Sequence, residues 1–135
     1  MTVRNSAILL AVCCLAGMTA DRVVRVDKAY SKAGDRITVD YVRGPSDKWT
    51  AGNSYEVSGR YTLASRDKAV LMATVTSQKT DPKVSSKVNP DQRLEVVKGS
   101  GKFTLHFHMF HDDDSPHVSF YPANPGGDAF AGIYF

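Results

Sequence analysis

The feature that most constrains the fold is a regular alternation of apolar and polar residues in short segments. Across residues 54–64, Tyr55, Val57, Tyr61 and Leu63 have one parity, and polar side chains occupy most of the other. Successive side chains of a strand point to opposite faces, so this pattern predicts a strand with one buried face. Seven further strand-like runs, bounded by turn residues, occupy residues 22–30, 36–43, 69–76, 93–98, 102–110, 117–121 and 128–135.

These runs predict an all-β domain without a convincing helix. Their even spacing favours a single antiparallel β-sandwich of about eight strands, with an immunoglobulin-like or a jelly-roll-like arrangement, and a barrel is the alternative. Runs 54–64 and 69–76 predict one hairpin. Runs 93–98 and 102–110 predict a second hairpin, which turns at the glycine-rich residues 99–101.

The first 20 residues have the composition of a secretory signal peptide. Arg4 supplies a positive charge, residues 7–16 form an apolar run, and the small residues Gly17 and Ala20 follow. The run is too short for a membrane-spanning helix, which needs about 20 apolar residues. We therefore expect cleavage after Ala20, a mature β-domain over residues 21–135 without a transmembrane helix, and an extracytoplasmic location, either periplasmic or secreted.

Both cysteines of the chain, Cys13 and Cys14, lie in the predicted signal peptide. A bacterial lipid anchor needs a small residue directly before the modified cysteine, but Val12 precedes Cys13 and Cys13 precedes Cys14. Lipidation is therefore the less favoured alternative. Removal of residues 1–20 leaves a domain without cysteine, which must be held together by its packed core and not by disulfides.

The charged residues are interspersed along the chain and form no strong cluster. There are 17 Lys and Arg residues against 14 Asp and Glu residues. This distribution is typical of a solvated surface and disfavours nucleic-acid binding. The partner we expect is an unknown protein or a component of the cell envelope.

The only residues to which specific chemistry can be attached are the four histidines, all of which lie within residues 106–117. His106 and His108 have the i, i+2 spacing that places both imidazoles on one face of a strand. Such a pair is able to bind Zn²⁺ or Cu²⁺, and His111 or His117 is able to complete the ligand set. The competing interpretation is that His106 and His108 form the wet face of a half-buried strand.

Two other interpretations concern the same segment. The run Asp112-Asp113-Asp114 suggests Ca²⁺, but it lacks the alternating spacing of a calcium loop. Ser115 or Ser119 is a possible nucleophile beside His117, but no Gly-x-Ser-x-Gly elbow accompanies either serine. The sequence therefore predicts an exported, non-enzymatic interaction or structural module without a required cofactor, and the alternative is a periplasmic Cu- or Zn-binding protein.

Overall fold

The structure is a computed structural model of the chain, which describes residues 20–22, 28–77 and 89–135. Within these ranges the chain forms seven strands and one short 3-10 turn at Pro90–Gln92. The strands are β1 (Ala20–Arg22), β2 (Lys28–Tyr30), β3 (Arg36–Gly44), β4 (Ser54–Thr76), β5 (Arg93–His108), β6 (Ser115–Pro122) and β7 (Ala131–Tyr134). In the described ranges, no helix is long or apolar enough to cross a membrane.

The strands form one antiparallel sheet in the order β1-β3-β4-β6-β7-β2, and β5 pairs with β4 beside this path. The long strand β4 has different neighbours along its length. Its first part lies between β3 and β5, whereas its last part lies between β5 and β6. The sheet therefore curls around β4 and β5, and its concave side encloses the core.

The predicted all-β class is confirmed. The finer prediction, a sandwich of about eight strands with an immunoglobulin-like or jelly-roll-like arrangement, is not confirmed, because the seven strands belong to one curled sheet. The run predicted at 22–30 corresponds to two short strands, β1 and β2, which pair with β3 and β7 at distant places in the sheet. Residues 23–27 and most of the predicted signal peptide lie outside the described residues.

Both predicted hairpins are wrong. Residues 54–64 and 69–76 belong to the single strand β4, and residues 93–98 and 102–108 belong to the single strand β5. The turn-like residues between them mark a bend in the paired strands. At this bend β4 places four residues between the paired positions Leu63 and Lys68, where β5 has only Lys98. This bulge gives the sheet its curl.

Two residues stabilise the bend from outside β4. The Asp35 carboxylate accepts hydrogen bonds from the backbone N–H groups of Ala64, at 2.8 Å, and Ser65, at 2.9 Å. Burial alone raises the pKa of Asp35, but these bonds and the Ser65 hydroxyl outweigh it, so that the pKa lies below its usual value. Gly99 faces the bulge with a φ of 128°, a conformation that other residues rarely adopt.

The core lies on the concave side of the sheet, where the predicted parity of β4 is confirmed. Tyr55, Val57 and Leu63 are at most 1% exposed. After the bulge, Leu71 and Ala73 continue the same buried face. Aromatic side chains fill much of this core, including Phe103, Phe107, Phe120, Phe130 and Phe135.

Candidate functional site

His106 and His108 share the convex face of the sheet, as their spacing predicts. They lie opposite Glu56 and Ser54 of β4, respectively. His106 Nε2 lies 3.4 Å from Glu56 Oε2. His108 Nδ1 lies 3.0 Å from Ser54 Oγ, and its ring meets the Phe110 ring edge-on. The two imidazoles therefore have different partners on the neighbouring strand.

His111 belongs to the turn between β5 and β6, where Asp114 holds it. The backbone N–H of His111 donates to Asp114 Oδ2 at 3.0 Å, and its Nδ1 lies 3.3 Å from Asp114 Oδ1. Ser77 Oγ lies 3.1 Å from the same Nδ1. Burial alone raises the pKa of Asp114, but hydrogen bonds from Ser77 and His111 outweigh it and bring the pKa below its usual value.

His117 lies on the convex face of β6 and is buried. Its Nδ1 lies 3.3 Å from the carbonyl oxygen of Ser115, which only accepts, so we assign the ring proton to Nδ1. Thr74 Oγ1, 2.9 Å from Nε2, then donates its proton to the ring. The imidazole also stacks on Tyr134 with a centroid distance of 4.5 Å. Burial lowers the pKa of His117, so the neutral form is favoured.

The four predicted metal ligands, His106, His108, His111 and His117, are therefore held in separate sets of contacts. In the part of the chain that the structure describes, no group of three or more His, Cys, Asp or Glu side chains is placed to hold a metal ion. Among the described residues, the structure therefore does not show the predicted Zn or Cu site.

The aspartate run has structural contacts as well. Asp112 Oδ1 accepts a hydrogen bond of 2.6 Å from the backbone N–H of Ala51, which ties the turn to the segment before β4. The Asp114 carboxylate is hydrogen-bonded to His111. The carboxylates therefore do not form the calcium loop that the sequence left open.

The serine–histidine interpretation is not supported by the geometry. Ser119 is fully buried, and its Oγ has no hydrogen-bond partner among the residues that the structure describes. A Cβ on Gly132 of β7 would lie 2.3 Å from this Oγ, so the serine packs into the space that the glycine leaves. Asp114 bonds to His111 and not to His117. Ser119, His117 and Asp114 therefore do not form a catalytic triad.

The sequence analysis missed a different feature, a groove on the convex face of β3, β4 and β5. The groove has a volume of about 550 Å³ and contains residues from all three strands. We call it the cationic groove and define it by three cations and three hydroxyl side chains, namely Arg36, Arg60, Lys102, Thr38, Thr62 and Ser100. The alternation within β4 is sufficient to predict that Arg60 and Thr62 share a face. Which residues of β3 and β5 lie beside them depends on the strand register, which the sequence does not reveal.

The strand register places these six side chains in two rows. One row runs from Arg36 through Thr62 to Ser100. The next row runs from Thr38 through Arg60 to Lys102. Each strand therefore contributes one cation and one hydroxyl to the same face.

Comparisons with protein-family models, with curated proteins and with solved structures found no match to this chain.

Proposed function

We propose that the chain is an exported, non-enzymatic interaction module that binds an extended segment of a partner protein along β5. The observation that carries the proposal is the open edge of this strand. Among the described residues, β5 pairs only with β4, and therefore on only one of its two sides. An edge strand presents unpaired N–H and C=O groups to which an additional strand is able to bond.

The two large apolar side chains that are exposed among the described residues lie on the same strand. Val97 is 64% exposed and Leu94 is 36% exposed. Leu94 pairs with the buried Leu71, so its side chain lies on the core face of the sheet, at the open edge. Val97 has the opposite parity, so its side chain lies on the other face. A strand added beside β5 covers apolar surface on both faces at once, which adds hydrophobic stabilisation to the backbone hydrogen bonds.

The charges on this edge favour an acidic partner over a second copy of the chain. Arg93 lies 3.6 Å from Glu95 of the same strand, whereas Lys98 makes no salt bridge within the described residues. A lysine on an edge strand disfavours pairing with an identical edge, because like charges then approach each other. An extended segment with Asp or Glu opposite Lys98 avoids this repulsion between like charges and gains an attraction between opposite charges.

The test begins with the full chain, expressed in a bacterial host and recovered from the periplasm. We expect mass spectrometry of this material to show cleavage after Ala20. A chain that stays in the cytoplasm, or that keeps its first 20 residues in the periplasm, contradicts the proposed signal peptide.

The recovered protein is then used to select binders from a library of random short peptides. We expect the selected peptides to combine β-branched and acidic residues, and to bind Val97→Lys at least about tenfold more weakly, since a tenfold change is about 1.4 kcal/mol. Ala123→Lys is the matched control, because it adds the same charge in an exposed connection between β6 and β7. Peptides that bind both variants equally, or a stable homodimer in sedimentation, contradict the proposal.

A further inference from the structure

We propose that the cationic groove binds an anionic carbohydrate, with the negatively charged groups of the sugar on the two arginines and the lysine. The groove shares strand β5 with the proposed partner site. It is formed by side chains on the convex face of three strands and not by the backbone groups of the open edge, so this inference does not depend on the proposed protein partner. Its volume of about 550 Å³ is within the usual range for small-ligand sites.

Part of the positive charge in the groove is not neutralised by neighbouring carboxylates. Arg60 Nη2 lies 3.0 Å from Asp40 Oδ1, so this cation has a carboxylate partner. Arg36 and Lys102 are both exposed and make no salt bridge within the described residues. Three cations and one carboxylate leave a net charge of +2 on this part of the surface, which favours a ligand with at least two negative charges.

The backbone positions that carry these charges are widely spaced on the sheet. Adjacent strands are about 4.8 Å apart, and every second residue of a strand is about 6.8 Å farther along, so the Cα atoms of Arg36 and Lys102 lie about 12 Å apart. Arg60 lies on the strand between them. This separation suits a short oligosaccharide with charges on successive units better than one small inorganic anion.

Each cation of the groove has a hydroxyl side chain beside it. Thr62 Oγ1 and Ser100 Oγ lie 2.8 Å apart, and Thr38 stands in the row of Arg60 and Lys102. Guanidinium groups bind carboxylate and sulfate oxygens with two parallel hydrogen bonds. Hydroxyl side chains both donate and accept, which matches the hydroxyl groups of a sugar ring.

The groove is poorly suited to nucleic acid. Single-stranded nucleic acids bind on exposed aromatic rings that stack with the bases. The one aromatic residue that lines the groove is Tyr61, whose ring is half-buried and packs edge-on against Phe120 of the core. The groove therefore has charges and hydroxyl groups for a sugar but no open ring for a base.

The test is calorimetric titration of the full chain with a sulfated tetrasaccharide and with a tetragalacturonate, which distinguish sulfate from carboxylate as the charged group. We expect at least one of them to bind. We expect Arg36→Gln/Lys102→Gln to weaken this binding at least about tenfold, because each substitution removes a charge-assisted hydrogen bond. Lys48→Gln/Lys68→Gln is the matched control, since it removes the same charge from exposed positions that do not line the groove, and should change affinity less than about twofold.

Asp40→Asn adds a test in the opposite direction. It frees Arg60 from its carboxylate partner and raises the charge of the groove, so we expect it to tighten oligosaccharide binding. The inference is overturned if neither oligosaccharide binds, or if both double variants weaken binding equally. It is also overturned if neutral dextran or a single-stranded oligonucleotide of matched length binds as well as the charged sugars.

Discussion

The histidine segment, residues 106–117, and the cationic groove differ in whether their side chains are free to bind a ligand. The histidine segment holds the residues that most often catalyse reactions or bind metals, yet His117 and Asp114 are buried and hydrogen-bonded inside the domain. The groove holds ordinary surface residues, yet Arg36 and Lys102 remain exposed. A binding site is therefore identified by side chains that remain exposed and able to bind a ligand, more than by residue type alone.

Asp114→Ala is the strongest test of the structural role of the histidine segment. The carboxylate is buried and accepts hydrogen bonds from His111 and Ser77. Its removal leaves these donors without their acceptor, so we expect a loss of about 3 kcal/mol in the free energy of unfolding. Urea denaturation measures this loss. Asp128→Ala, in an exposed connection, should cost less than about 0.5 kcal/mol. Equal losses in the two variants would contradict a structural role for Asp114.

The pH dependence of stability tests the buried state of His117. Its pKa in the folded state lies below that of the unfolded chain, about 6.5, so the unfolded chain takes up a proton first as the pH falls. The contribution of His117 is therefore complete above about pH 6.5, and stability decreases below it by at most about 1.4 kcal/mol per pH unit.

Urea midpoints measured from about pH 8 to about pH 5 show this slope. His117→Gln should remove it, whereas His108→Gln should retain it, because the His108 side chain is half-exposed and the His117 side chain is buried. A slope that persists in His117→Gln would show that another group is responsible.

The groove should be the region where substitutions leave stability unchanged. Arg36 and Lys102 are exposed and make no salt bridge in the described ranges. We expect Arg36→Gln/Lys102→Gln to change the free energy of unfolding by less than about 0.5 kcal/mol. A loss of several kcal/mol in the same urea assay would mean that the groove, like the histidine segment, serves the fold.

The smallest expected effect is the heat of metal binding. Because the four histidines have separate partners, calorimetric titration with Zn²⁺ or Cu²⁺ should show no binding tighter than about millimolar. Micromolar binding that disappears in His106→Ala/His108→Ala would restore the metal site that the sequence suggested. The Lys48→Gln/Lys68→Gln variant controls for a change in surface charge.

Local pattern was sufficient for the class of the fold and for the two faces of β4. Tyr55 and Val57 are buried as their parity predicts, and His106 shares a face with His108. The pattern failed at the bends. Ser65 precedes a charged pair and Gly99 belongs to a glycine-rich run, and both signals are equally typical of a hairpin turn and of a bulge within a long strand.

The candidate sites depend on contacts between residues far apart in sequence, which local pattern does not contain. His117 finds its partner in Thr74, on a strand 43 residues earlier. Arg36 becomes a neighbour of Ser100 only because both flank Thr62 in the register of the sheet. From the sequence alone, the histidines therefore looked free to bind a metal ion, and the cations of the groove looked like unrelated surface charges.

Amide NMR of the full chain, titrated separately with the sulfated tetrasaccharide and with Zn²⁺, tests both regions in one experiment. We expect the tetrasaccharide to shift the amide signals of the groove, at Arg36, Arg60 and Lys102 and their neighbours, and Zn²⁺ to leave residues 106–117 unshifted. The contrary result, an unshifted groove together with a saturable Zn²⁺ response in residues 106–117, would place the ligand chemistry of this protein in the histidine segment.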